Sequence, residues 1–202
     1  QPGTSLYHEE IRNRTLGIIG YGHIGKEIAK RAAAFDMRII AIRRSKQEIA
    51  APLDWIGTAD QLDKLLSESD FVVVACDMNE GTIGMIDAQQ IAKMKPGGII
   101  INVARGQIIA EEALYNALKN KKIGGAVLDV WYNYIGNNKE EVSPSNLPFE
   151  RLDNVILSAH ESASAPEQVE RRWKFVAENI CLAAKGETPN NIVFVGSEVA
   201  TT

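Results

Sequence analysis

Gly20, Gly22 and Gly25 stand in the spacing G-x-G-x-x-G, directly after the apolar run Leu16-Gly17-Ile18-Ile19 and ahead of the amphipathic run Lys26 to Phe35. Where such glycines end a buried strand and open a helix, the first permits the tight turn. The second lets a pyrophosphate approach the backbone, and the third lets the helix pack closely on the strand. The residues at the helix start, His23 and Ile24, then lie beside the phosphates, and the helix dipole favours the negative charge. The spacing alone is a weak signal. Between a strand and a helix it points to dinucleotide binding.

An acid is expected about 20 residues past the glycines, where it accepts hydrogen bonds from the adenosine ribose. The second strand, Met37 to Ile42, is followed instead by Arg43, Arg44 and Ser45. Two guanidiniums and a hydroxyl suit a 2′-phosphate, because arginine offers a planar fork of donors that matches phosphate oxygens. The expectation is therefore a preference for NADP(H), with NAD(H) possible; the bland alternative is a solvated basic loop.

Ligands of open parallel sheets bind at the carboxyl ends of the strands. Three such ends carry chemistry. Arg105 follows Ile100-Ile101-Asn102-Val103-Ala104, Asp129 follows Val127-Leu128, and His160 follows Ile156-Leu157-Ser158-Ala159. An arginine can clamp a carboxylate bidentately and polarise an adjacent carbonyl, and a histidine can supply a proton as hydride arrives from a nicotinamide. Taken singly, Arg105 could be a surface cation, Asp129 a turn acid and His160 a loop histidine. Together, beside a nucleotide loop, they read as one site.

The elements that must position these residues alternate strand and helix with short connections, the pattern of a doubly wound parallel sheet with helices on both faces, a Rossmann-type α/β fold. Expected strands are Leu16–Ile19, Met37–Ile42, Phe71–Ala75, Ile99–Val103, Gly125–Val130 and Val155–Leu157. Expected helices follow the glycine loop, run to Ser67 from a cap at Thr58 or Asp60, and cover Asp87–Met94, Ala110–Asn120 and Pro166–Lys185. Pro52 and Trp55 read as loop, and Trp131 to Arg151 is a long irregular segment. The chain of 202 residues, formal net charge −4, divides into a polar linker or remnant of a preceding segment (1–14), a dinucleotide-binding domain (15–164) and a C-terminal helix and tail (165–202). The mildly acidic balance argues against nucleic acid as a partner. No apolar run is long enough to span a bilayer. Cys76 and Cys181 match no metal or redox spacing and read as reduced thiols of a cytoplasmic protein.

Leu16 to Gly25, Met94-Lys95-Pro96-Gly97-Gly98, Ile101 to Gly106 and Asn154 to His160 together resemble the coenzyme-binding domain of the D-isomer-specific 2-hydroxyacid dehydrogenases. The resemblance implies that Arg105 binds the substrate, that His160 is the acid/base and that Asp129 holds the nicotinamide carboxamide. It also implies that Val103, Ala104 and the turn Cys76-Asp77-Met78-Asn79 lie along the cofactor. It further implies a glyoxylate- or hydroxypyruvate-type 2-oxoacid reductase acting on small 2-oxo and 2-hydroxy acids, and a homodimer through the coenzyme domain. No metal is expected.

Two departures stand out. Tyr134 occupies the place of the Glu that pairs with the histidine in the family, so the protonated imidazole loses an attractive partner. Glu140, Glu141 and Glu161 are the candidates to replace it. The residues that would build a substrate domain ahead of the first strand are also absent from the sequence in hand, so the expectation is a chain that binds cofactor but turns over substrate poorly or not at all. The alternative function is a non-catalytic dinucleotide-sensing or scaffold module on the same fold.

Overall fold

The chain is described by a computed structural model covering residues 10–134 and 142–192. Strands β1 (Thr15–Ile19), β2 (Arg38–Ile42), β3 (Trp55–Gly57), β4 (Phe71–Val74), β5 (Ile99–Asn102), β6 (Gly125–Leu128) and β7 (Val155–Leu157) pair in parallel in the order β3-β2-β1-β4-β5-β6-β7. The order reverses between β1 and β4, the switch point at which open α/β sheets take ligands.

The central strands β1, β2 and β4 are apolar on both sides because both faces are covered. Ile18, Ile39, Ala41 and Val73 lie in one cluster with Ala29 and Ala32 of α1 (His23–Ala33). Ile19, Ile40, Ile42, Val72 and Val74 lie in another, with Leu62, Leu65 and Leu66 of α2 (Leu62–Glu68). The same cluster takes Ile91 of α3 (Ala88–Ile91) and Leu114, Ala117 and Leu118 of α4 (Glu111–Lys119). Asp70 staples the sheet at the strand-entry edge, accepting from the Thr15 amide and the Lys95 ammonium, each at 2.8 Å.

Three local readings are corrected. Trp55–Gly57 is not loop but the edge strand β3, paired with Ile40–Ile42. Neither Thr58 nor Asp60 caps α2; the Thr58 hydroxyl donates to Asp60 Oδ1 at 2.5 Å, and a 3₁₀ turn at Ala59–Gln61 precedes the helix. The helix expected over Asp87–Met94 contracts to α3, with the Asp87 side chain accepting from the Gln89 amide at 2.6 Å.

The chain divides into two compact units, one ending at His160 and the other beginning at Glu161. In the second unit α5 (Pro166–Ala184) starts after Ala165 with Pro166 in its first turn, and Gly186 at φ +73° follows its end. Asn179 Oδ1 accepts the Asn190 amide at 2.7 Å, tying the tail to α5.

Candidate cofactor cleft and active site

β1 ends at a turn that only glycine fills comfortably. Gly20 has φ +102°, and a Cβ there would lie 2.5 Å from the Cys76 amide nitrogen, so the exits of β1 and β4 touch. A Cβ on Gly25 would meet the Gly20 carbonyl oxygen at 2.3 Å, which is how closely α1 packs on the turn. At Gly22 a Cβ would meet nothing within 4 Å. The first bond of α1 runs from the Lys26 amide to Gly22 O at 3.0 Å. Gly22 has no side chain with which to cap, so the first-turn amides of His23, Ile24 and Gly25 are orphan donors at the positive end of the helix.

They open on a cleft of about 730 Å³. Gly20, Gly22, His23 and Ile24 line its floor, Arg43, Arg44 and Ser45 its wall beyond β2, and Cys76, Asp77 and Asn79 its wall beyond β4. Gly25 lies beneath, buried against the turn. Size, orphan amides and cationic wall fit a dinucleotide, whose pyrophosphate would lie at α1 and whose adenosine end would lie towards Arg43. The Arg43 amide donates to Gly57 O at 3.0 Å, so the strand missed in the sequence fixes where this arginine leaves the sheet. Its guanidinium donates to Gln47 Oε1. Thr82 shapes the opposite wall: its hydroxyl accepts from the Asn79 amide and donates to Asp77 O, both at 2.8 Å. Burial pushes the Cys76 thiol up, so it stays protonated at neutral pH.

Val103, Ala104, Arg105, Asp129 and His160 do not line that cleft but sit at the neighbouring exits of β5, β6 and β7. Asn102, buried at the end of β5, organises the first exit: Oδ1 accepts from Ala104 N at 3.1 Å and Nδ2 donates to Arg105 O at 3.0 Å. Arg105 is exposed, with Nη1 donating to Ala104 O at 2.7 Å. A Cβ on Gly106 would lie 2.4 Å from Trp131 O, so the Arg105 loop rests against the segment leaving β6. Gln107 Nε2 donates to Tyr132 O at 2.9 Å across the same contact.

Asp129 is buried, and its Oδ1 accepts from the Ser158 hydroxyl at 2.6 Å. Ser158 N donates to Leu128 O at 3.0 Å, and the Trp131 indole donates to Ser158 O at 2.8 Å. His160 follows, exposed and at φ +59°. Tyr134 lies against it, ring centroids 5.6 Å apart. Glu140 and Glu141 fall outside the described residues, and Glu161 begins the second unit. Behind this surface Tyr132 stacks on Phe149, and burial, with the Glu111 carboxylate adding to it, pushes its phenol well up. Glu111 also accepts from Ser145 Oγ at 2.5 Å and Asn146 N at 2.7 Å, pinning the return of the long segment.

The supports Asn102, Gly106, Trp131 and Ser158 lie inside the segments that carry the site; the contacts joining Gly106, Trp131 and Ser158 are long-range and leave no spacing to detect, while Asn102 acts locally through the direction of its side chain. Among the described residues no group of three or more His, Cys, Asp or Glu side chains could hold a metal, and no helix is long and apolar enough to cross a membrane.

Parallel order, glycine turn and orphaned helix amides together define a Rossmann-type nicotinamide-dinucleotide-binding domain. Residues 2–162 match the NAD-binding domain of the D-isomer specific 2-hydroxyacid dehydrogenases, and the chain belongs to that family of oxidoreductases. It is 38% identical over 187 residues to a glyoxylate reductase of Korarchaeum cryptofilum, a match covering 91% of this chain and 53% of that protein. Among solved structures, it is similar to the NAD-complexed D-isomer specific 2-hydroxyacid dehydrogenase of Lactobacillus delbrueckii ssp. bulgaricus, with TM-score 0.80, 28% identity, and 96% of this chain against 60% of that one. An NADPH-dependent glyoxylate/hydroxypyruvate reductase of Sinorhizobium meliloti, in complex with NADP and sulfate, gives TM-score 0.78 at 27% identity over 95% of this chain and 58% of that one. The chain spans about half the length of most curated relatives it matches.

Proposed function

We propose that the chain is the coenzyme half of an NADP(H)-preferring 2-oxoacid reductase of the glyoxylate or hydroxypyruvate type. The observation that carries this reading is the arrival of Arg105, Asp129 and His160 at the exits of three adjacent strands, beside a cleft whose adenosine end is walled by Arg43, Arg44 and Ser45. Bound there, the nicotinamide supplies the hydride. Arg105, exposed beyond β5, holds the substrate carboxylate and polarises the neighbouring carbonyl. His160 donates the proton to the carbonyl oxygen as the alkoxide forms. Asp129, orientated by Ser158, accepts from the carboxamide, with Val103, Ala104 and the Cys76–Asn79 turn along the cofactor's flank.

One similar structure is an NAD-complexed form and another an NADPH-dependent reductase with NADP; the preference for NADP(H) here follows from Arg43, which stands where an acid would serve the ribose hydroxyls. Paired fluorescence titrations with NADPH and NADH test it. NADPH should bind more tightly, and Arg43→Asp should reverse the order by removing a charge-assisted bond worth about 1.5–3 kcal/mol. Equal loss for both cofactors would refute a 2′-phosphate site at Arg43. A homodimer through this domain and a cytoplasmic site of action, with Cys76 and Cys181 free, complete the reading, and light scattering tests the first.

One observation favours the second reading, a dinucleotide-sensing module: an aromatic ring, that of Tyr134, lies against His160. Tight cofactor binding with no reduction of any 2-oxo acid by the full-length gene product would select it.

A further inference from the structure

A histidine at φ +59° is in the left-handed region, which is held only where its surroundings over-determine it. Ser158 supplies much of that restraint. Its amide, hydroxyl and carbonyl bond Leu128 O, Asp129 Oδ1 and the Trp131 indole at 3.0, 2.6 and 2.8 Å. These bonds hold the backbone two residues ahead of the imidazole and leave the ring itself to a different contact. That contact is Tyr134, at 5.6 Å between centroids and 55° between ring planes.

Tyr134 is held in turn. Its phenol oxygen accepts the Trp131 backbone N–H at 3.0 Å, so the same residue that anchors the His160 loop through its indole anchors the Tyr134 ring through its amide. The Trp131 carbonyl, packed on Gly106, abuts the loop of Arg105. One residue thus braces both exits. Tyr134 and His160 are rigid rings meeting on that brace.

We propose that Tyr134 is a positioning residue for His160: the tyrosine ring, fixed by Trp131, sets the plane of the imidazole by contact. A carboxylate orientates imidazole through a proton on one ring nitrogen. A ring contact needs no such proton and fixes the ring without engaging either nitrogen. The proposal rests on the reading of His160 as the proton donor.

Two readouts separate the ideas. In NMR spectra of the chain, with His160 assigned through His160→Asn among the three histidines, the His160 ring protons should carry a ring-current displacement. Tyr134→Leu should abolish it and Tyr134→Phe, lacking the bond to Trp131, should keep part of it. In the full-length gene product, Tyr134→Leu should lower kcat for glyoxylate reduction about two- to tenfold, the worth of one aromatic contact, with KM unchanged. Tyr134→Phe, which keeps the ring but loses the phenol oxygen that Trp131 holds, should recover only part of the loss. His160 signals indifferent to Tyr134→Leu would overturn the contact, and signals that move while kcat does not would overturn its positioning role. Full turnover by His160→Asn would overturn the parent reading instead, whatever Tyr134 does.

Discussion

Replacing Gly25 by alanine places a Cβ 2.3 Å from the Gly20 carbonyl oxygen and 3.1 Å from Ile18 Cγ2. The nearer contact is about 1 Å short of ordinary van der Waals separation. Neither neighbour can swing aside, since one is backbone of the phosphate turn and the other a fully buried β1 side chain. Overpacking of this kind costs about 1–3 kcal/mol, and a rigid backbone partner places Gly25 towards the upper end. Alanine's better helix propensity offsets at most about 1 kcal/mol. The net loss, about 2 kcal/mol, lowers Tm by about 4–8 °C for a chain of this size. Gly22→Ala makes the opposite case: φ −92° and ψ −155° suit alanine, and its Cβ meets nothing within 4 Å. It should melt within about 0.5 kcal/mol of the parent. Its methyl nevertheless occupies the space a pyrophosphate must enter, and forfeiting one charge-assisted bond of about 1.5–3 kcal/mol weakens NADPH about ten- to hundredfold. Calorimetry and nicotinamide fluorescence on the two variants give both quantities. A Gly25→Ala variant that melts with the parent, or a Gly22→Ala variant that binds NADPH undiminished, would refute the reasoning.

Asp70 supplies a pH dependence. Burial pushes its carboxyl up, but hydrogen bonds from Lys95 and the Thr15 amide outweigh that and hold it below its ordinary value. A carboxyl depressed in the folded state contributes stability above the unfolded pKa of ~3.9, and the contribution is lost as pH falls through the folded value. Denaturant melts at about pH 7 and about pH 3 should therefore differ more in the parent than in Asp70→Asn, and an equal fall in both would discount the staple. Asn102→Ala removes the bonds to Ala104 N and Arg105 O and leaves a buried amide unpaired, at about 1–3 kcal/mol. In the full-length protein it should lower kcat/KM more than it weakens NADPH, because it loosens Arg105 and not the cleft; an equal fall in both would count against that division.

Much of the fold was legible because the strands are runs such as Ile18-Ile19 and Phe71-Val72-Val73-Val74, apolar on both faces and separated by turn residues. β3 escaped notice because Trp55-Ile56-Gly57 is three residues long and becomes a strand only through its ladder to β2. Thr58 and Asp60 have capping side chains, yet they bond each other, a choice between neighbouring partners that composition does not register. The cleft residues of the glycine loop and of Arg43–Ser45 were legible since local spacing carries them. Ser158 and Trp131 were not, since each acts through a partner in another loop or strand, and Asn102 was not, since its bonds to Ala104 and Arg105 depend on side-chain direction.

By itself, the sequence determined the alternation of strand and helix, the glycine turn and the placing of Arg105, Asp129 and His160 just past strand ends. These follow from short-range rules of burial period, turn geometry and helix termini. Only the tertiary structure decided that β3 steers Arg43, that Asn102 and Ser158 brace the exits of β5 and β7, and that Tyr134 lies against His160. Those relations join residues far apart in the chain or turn on side-chain direction, and parallel strand order is what brings them within bonding distance.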